Sequence, residues 1–236
     1  MAAPAFPILC VAGTGPGVGK TLLAAGLVRR AAALGGRPVG MKPIEVGCRY
    51  GEDHDLVSSD GDALRAARGE ALPPLVAAPY RLTPIQNPLL AARASGLDLS
   101  LEALEQAVQN AKDFGDVLIV ELPSGALAPI AEDGNGLDLA VRLASRVLIV
   151  ATPAPGVESR VLGLVESARA RKLTVGGIQL NSPPPEPAAA EDLCALMSER
   201  AGVPVFQPIP CLEGEVQAAV DEHLESEKVL ERSFRT

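Results

Sequence analysis

The sequence predicts an α/β fold, a single parallel sheet flanked by helices, and three observations carry that expectation. Six short aliphatic runs alternate with helix-length segments along the 236 residues, the pattern of parallel strands joined by crossover helices. Two of the runs, Val117-Leu118-Ile119-Val120 and Val147-Leu148-Ile149-Val150, show no polar alternation, as expected of strands covered on both faces. A glycine-rich stretch, Gly13 to Lys20, separates the first run from a helix-like segment, an order that recurs in α/β supersecondary units.

The predicted strands in chain order are Ile8 to Val11, Val39 to Lys42, Val117 to Glu121, Val147 to Ala151, Val175 to Leu180 and Val203 to Phe206. The two uninterrupted runs should occupy the middle of the sheet. Between strands, Leu23, Leu27 and Leu34 mark a first helix, and Asp62-Ala63-Leu64 opens a second helix-like stretch, where capping alone would account for the aspartate. Leu101, Leu104, Val108 and Ala111 keep helical spacing behind Ser100, a good N-cap. Val157, Val161, Leu164 and Ala168 form a similar stripe, which either the sheet or a partner subunit could cover. Ser182 to Pro187 holds four prolines among six residues and resembles a boundary, but too little chain follows for an independent core. Residues 1–236 therefore read as one domain.

Composition excludes several function classes. A net charge of −8 with pI near 4.9 disfavours phosphate backbones and anionic membranes, and four Phe, two Tyr and no Trp make a poor base-stacking platform. No nucleic-acid partner is expected. No apolar run approaches the ~20 residues of a membrane span, and no basic flank or cleavage site marks a signal peptide, so the expectation is a cytoplasmic protein without membrane partners. The four cysteines have no CxxC spacing, and Asp53-His54-Asp55 reads as a solvated loop.

Chemistry concentrates in the glycine-rich stretch. Gly13-Thr14-Gly15-Pro16-Gly17-Val18-Gly19-Lys20-Thr21 lies between a strand and a helix, the context a phosphate-binding loop requires. Its glycines let backbone N–H groups converge on an anion, Lys20 reaches the β- and γ-phosphates, and the Thr21 hydroxyl can ligate Mg²⁺. The spacing is a variant, with one residue more between the leading glycine and Gly19 than the common motif. The fold class is thus refined to a phosphate-loop NTPase type. Lys42 ends the second strand, where ligands sit in open α/β sheets. Glu121 ends a buried strand, where an acid can hold a metal.

These pieces, in this order, resemble the dethiobiotin synthetase family. The resemblance extends over Lys42-Pro43 with Gly47, Asp62-Ala63-Leu64, Asn87-Pro88 with Ala91-Ala92, Val120-Glu121 with Gly125, Asp138-Leu139-Ala140, Asn181 and Pro208-Ile209-Pro210. It implies an ATP- and Mg²⁺-dependent ligase that closes a urea ring on 7,8-diaminopelargonate with CO₂, working as a homodimer with its substrate site between subunits. By the same resemblance, Lys20 and Lys42 are catalytic, and Thr21, Asp62 and Glu121 hold Mg²⁺. Gly15, Gly17, Val18, Gly19, Lys20, Thr21 and Leu22 bind the nucleotide phosphates, while Asn181, Pro208, Ile209 and Pro210 form the adenine pocket.

Four departures gather on the substrate side. Val46 stands where the family has a hydroxyl, Leu122-Pro123-Ser124-Gly125 replaces a Gly-Ala-Gly-Gly run, Gly17 replaces an acid, and Glu158 enters a segment that receives a substrate carboxylate. A nucleotide-binding scaffold or switch ATPase that lost or changed its substrate is therefore the competing expectation.

Overall fold

A computed structural model describes residues 7–69, 72–181, 187–209 and 216–234. Six parallel strands form the main sheet: β1 (Ile8–Gly13), β2 (Pro38–Met41), β3 (Val117–Glu121), β4 (Arg146–Ala151), β5 (Thr174–Asn181) and β6 (Val205–Ile209). Their order is β6-β5-β4-β1-β3-β2. The chain leaves β1 for the β2 edge, returns through β3, and only then crosses to β4. Lateral order thus reverses around β1, and the crevice beyond the carboxyl ends of β1 and β3 is the place where such sheets bind ligands.

The two uninterrupted apolar runs are both interior, but β3 lies one place from the edge and β1 shares the centre with β4. Side-chain alternation divides the core accordingly. Ile8, Cys10 and Ala12 face one apolar cluster with Val147, Ile149 and Ala151, while Leu9, Val11, Leu148 and Val150 face the other. Both faces are covered, and this removes the need for polar alternation. The last strand starts later than expected, at Val205, because Pro204 has no N–H to give and instead accepts from Ile178 N at 2.9 Å.

Helices α1 (Lys20–Ala33) and α2 (Ser59–Arg68) pack on the face of Leu9 and Val11, joined there by the C-terminal helices through Val220, Leu224 and Leu230. Gly40 in β2 permits this closeness, since a Cβ there would stand 2.7 Å from Val28 and 3.2 Å from Leu64. The opposite face carries α3 (Pro88–Ala94), α4 (Leu101–Ala111), α5 (Gly136–Arg142) and α6 (Val157–Ala170). Ser100 caps α4 as expected, accepting from Ala103 N at 3.2 Å. The α6 stripe is settled too: Val157, Val161, Leu164 and Ala168 are buried within their own chain, so it supplies no face for a partner. Most of the proline-rich stretch lies outside the described residues. Among the described residues, no helix is long and apolar enough to cross a membrane.

Candidate functional site

The loop after β1 is held by one bond of its own and one from β5. Lys20 Nζ donates to Gly15 O at 2.9 Å, and Asn181 Nδ2, at the carboxyl end of β5, donates to Val18 O at 2.6 Å. Gly19 adopts φ +85°, and a Cβ there would fall 2.3 Å from the Asn181 amide; only glycine fits both constraints. Helix α1 begins on Gly19 without a side-chain cap, leaving its first-turn N–H groups and dipole for an anion.

A cavity of about 700 Å³ opens over this loop. One wall is Gly17, Gly19, Lys20, Thr21 and Leu22; the other brings Lys42, Asp60 and Glu121 together from three separate elements, with Ile44, Val46, Ile85 and Pro123 as apolar lining. Lys42 Nζ lies 2.9 Å from Glu121 Oε1 and also pairs with Asp60. Thr21 Oγ1 donates to the same Glu121 oxygen at 3.1 Å. The other oxygen, Glu121 Oε2, is buried without a partner.

Electrostatics in this cluster follow from burial and mutual charge. Burial pushes Lys20 below its ordinary value; Lys42 adds to that drift, and Glu121 and Asp60 oppose it. For Lys42, burial is outweighed by Glu121 and Asp60, so its ammonium is held above the usual lysine range. Burial pushes Glu121 up, against the pull of Lys42 and Lys20. Two lysines and two carboxylates therefore share a poorly hydrated space in which added phosphate charge would be strongly felt.

One expected residue is misplaced. Asp62 is half-exposed, pairs with Arg65 at 2.7 Å, and lines a separate small pocket with Arg81 and Pro74. Asp60, two positions earlier, faces Lys42. Ser58 is the N-cap of α2, accepting from Gly61 N at 3.0 Å, and the 3.6-residue turn then directs positions 60 and 62 about 200° apart. The pair Ser58-Ser59 ahead of Asp60 was the signal available in the sequence.

The remaining expected residues divide. Lys20, Lys42, Thr21 and Glu121 converge, and Gly17, Gly19 and Leu22 line the cavity. Gly15 and Val18 contribute the carbonyls that accept from Lys20 and Asn181. Asn181 and Ile209 pair across β5 and β6, with Pro208 beside them. Pro210 lies outside the described residues. Of the departures, Val46 and Pro123 line the cavity. Ser124 takes φ +58°, a left-handed conformation glycine would adopt more easily. Glu158 is exposed in the first turn of α6 and is not among the cavity's lining residues.

Residues 8–219 match the AAA domain family. The ATP-dependent dethiobiotin synthetase of Anaeromyxobacter dehalogenans is 37% identical over 178 residues, 75% of this chain and 78% of that protein. The synthetase of Nitrosospira multiformis is 30% identical over 200 residues, 85% of this chain and 86% of its own. The chain belongs to the dethiobiotin synthetase family. Among solved structures, the cell division ATPase MinD of Pyrococcus furiosus aligns with TM-score 0.57 at 17% identity, covering 94% of this chain and 99% of that one. At that identity the likeness concerns the fold alone. Both of these relatives are synthetases, and the switch-ATPase expectation fits less well than an ATP-dependent ligase of the dethiobiotin synthetase type.

Proposed function

We propose that this chain joins 7,8-diaminopelargonate and CO₂ into the cyclic urea of dethiobiotin at the expense of ATP. The observation that carries the reading is the convergence of Lys20, Lys42, Asp60 and Glu121 on one cavity above the phosphate loop, in a chain of this family. In such a reaction an amine first captures CO₂ as a carbamate. A carbamate oxygen then takes the γ-phosphoryl group, and the second amine attacks the carbamoyl carbon and expels phosphate. No protein nucleophile is required; the work is alignment and charge stabilisation.

The chain's residues suit that work. Lys20 and the uncapped first turn of α1 hold the β- and γ-phosphates. Lys42, fixed in its charged form, faces the position where carbamate and transferred phosphoryl meet. The residues fit a divalent ion as well: Glu121 Oε2 is a buried oxygen without a partner, beside the Thr21 hydroxyl and the Asp60 carboxylate. Among the described residues, no cluster of three or more Asp, Glu, His or Cys could hold a metal by itself. Mg²⁺ takes one or two carboxylates and completes its shell with phosphate oxygens and water, a set that Glu121, Asp60 and the nucleotide would supply. Bound there, Mg²⁺ would neutralise charge developing across the phosphates. Asn181 Oδ1, buried and unpartnered, is an acceptor for the adenine amino group.

On the substrate side, Ile44, Val46 and Ile85 offer an apolar wall to a methylene chain. A homodimer belongs to this reading through family resemblance. Glu158, away from the protomer's own cavity, would meet substrate only across such an interface. The test is a coupled assay with diaminopelargonate, bicarbonate and Mg-ATP. Phosphate release stoichiometric with dethiobiotin is expected; ATP hydrolysis uncoupled from product, or none, overturns the proposal. In the same assay Val46→Ser, which restores a hydroxyl at the wall, is expected to raise kcat/KM about tenfold.

A further inference from the structure

Glu45 is a carboxylate only 4% exposed, in a short strand of otherwise apolar residues, Ile44–Val46. Neither the motifs nor the reaction chemistry gives it a role. Its oxygens are nonetheless fully engaged. Oε1 accepts from Ser59 Oγ and from Asp60 N, both at 3.1 Å. Oε2 accepts from Gly61 N at 3.1 Å and from Ser58 Oγ. All four donors belong to the start of α2, where a negative charge also meets the positive end of the helix dipole. There is no slack in this turn, since a Cβ on Gly61 would fall 2.4 Å from Ser58 Oγ and 2.8 Å from Ala78.

Asp60 is thereby gripped at two ends by one four-residue segment, its backbone amide by Glu45 and its carboxylate by Lys42. A carboxylate on the first turn of a helix would otherwise sample several rotamers and fray with the helix end. We propose that Glu45 is a positioning residue: by fixing the first turn of α2 it aims Asp60 at Lys42 and Glu121, and so sets the affinity of the nucleotide-loaded site for a divalent cation. The proposal rests on the metal reading above. It differs from a general packing role because its effect must pass through Asp60.

A double-mutant cycle on the full chain tests this, with free Mn²⁺ followed by electron paramagnetic resonance in the presence of a non-hydrolysable ATP analogue. Glu45→Gln is expected to weaken Mn²⁺ binding about tenfold, the scale of outer-shell effects on metal sites, while metal-free nucleotide affinity stays within about twofold. Asp60→Asn should weaken Mn²⁺ at least as much, and the double variant should be no weaker than Asp60→Asn alone. Glu45→Gln with unchanged Mn²⁺ affinity overturns the proposal. So does an equal loss from Glu45→Gln in the Asp60→Asn background, which a merely structural role would produce. Should Glu45→Gln fail to fold, Ser59→Ala is the variant read, with a loss of about threefold that vanishes beside Asp60→Asn; no loss overturns the proposal. If Asp60→Asn itself leaves Mn²⁺ binding intact, the metal reading has failed and this inference falls with it. If Asp60→Asn weakens binding and Glu45→Gln does not, only this inference has failed.

Discussion

Lys20 shows how much a single side chain can be asked to do. It is buried, bonded to its own loop at Gly15 O, and held below the ordinary lysine value by that burial. An incoming phosphate would replace one carbonyl acceptor with charged oxygens and reverse the drift. Lys20→Ala is therefore expected to lose about 1.5 to 3 kcal/mol of Mg-ATP binding, roughly one to two decades in affinity. Titration calorimetry checks this, and equal affinities would rule Lys20 out as a phosphate contact. Residue-scale legibility was uneven. Lys20 and Thr21 were readable because neighbours in sequence create their function. Asp60 was less so: the Ser58 cap that sets helix phase lies just ahead of it, but Asp62 two positions on shares nearly the same local context. Glu45 was hidden for a related reason: nothing near it in sequence shows that its acceptors will be met by a helix start thirteen or more residues away.

Elements are fixed by local signals and joined by a few long-range bonds. Asn135 opens α5 with a reciprocal capping box, its side chain accepting from Asp138 N while Asp138 accepts from Asn135 N at 3.0 Å. The same aspartate accepts from Arg171 Nε at 2.8 Å just beyond the end of α6, so one carboxylate ties two helices. Burial raises its pKa, but Arg171 and the Asn135 amide outweigh that and hold it below the ordinary aspartate value. A carboxylate so depressed stabilises fully above its unfolded pKa, and the contribution is lost as pH falls through the folded value. Asp138→Asn is expected to lower the melting temperature at neutral pH by about 2 to 4 °C, for about 1 kcal/mol. Wild type and variant should converge in acid, below the ordinary aspartate pKa of about 3.9. Melting curves across pH check both; a constant gap would show that the ionised pair is not the cause.

At the scale of the molecule, the sheet order brings the candidate site residues together where no single element could. Lys42 leaves edge strand β2, Glu121 ends β3, Lys20 follows β1, and Asp60 arrives on α2, so the site exists only once β3 has inserted between β1 and β2. Assembly beyond the chain is a separate question. Burial of the α6 stripe within its own chain means that a homodimer must use other surfaces. Sedimentation equilibrium with and without Mg-ATP is expected to show a dimer at micromolar concentration. A monomer under both conditions would confine the substrate site to one protomer.

Sequence by itself determined the alternation of strands and helices, the glycine loop and its lysine, the Ser100 cap and the family. All of these are written in spacings of a few residues, through side-chain periodicity, φ freedom and capping donors, or in the order of motifs along the chain. Tertiary structure alone decided that β4 rather than β3 shares the centre with β1, that the α6 stripe lies against its own chain, that Asp60 meets Lys42, and that Glu45 is satisfied under α2. Each of these depends on which distant element lies alongside and in what rotational phase. That outcome is set by the summed burial of two cores and the order of six strands, which no short window of sequence contains.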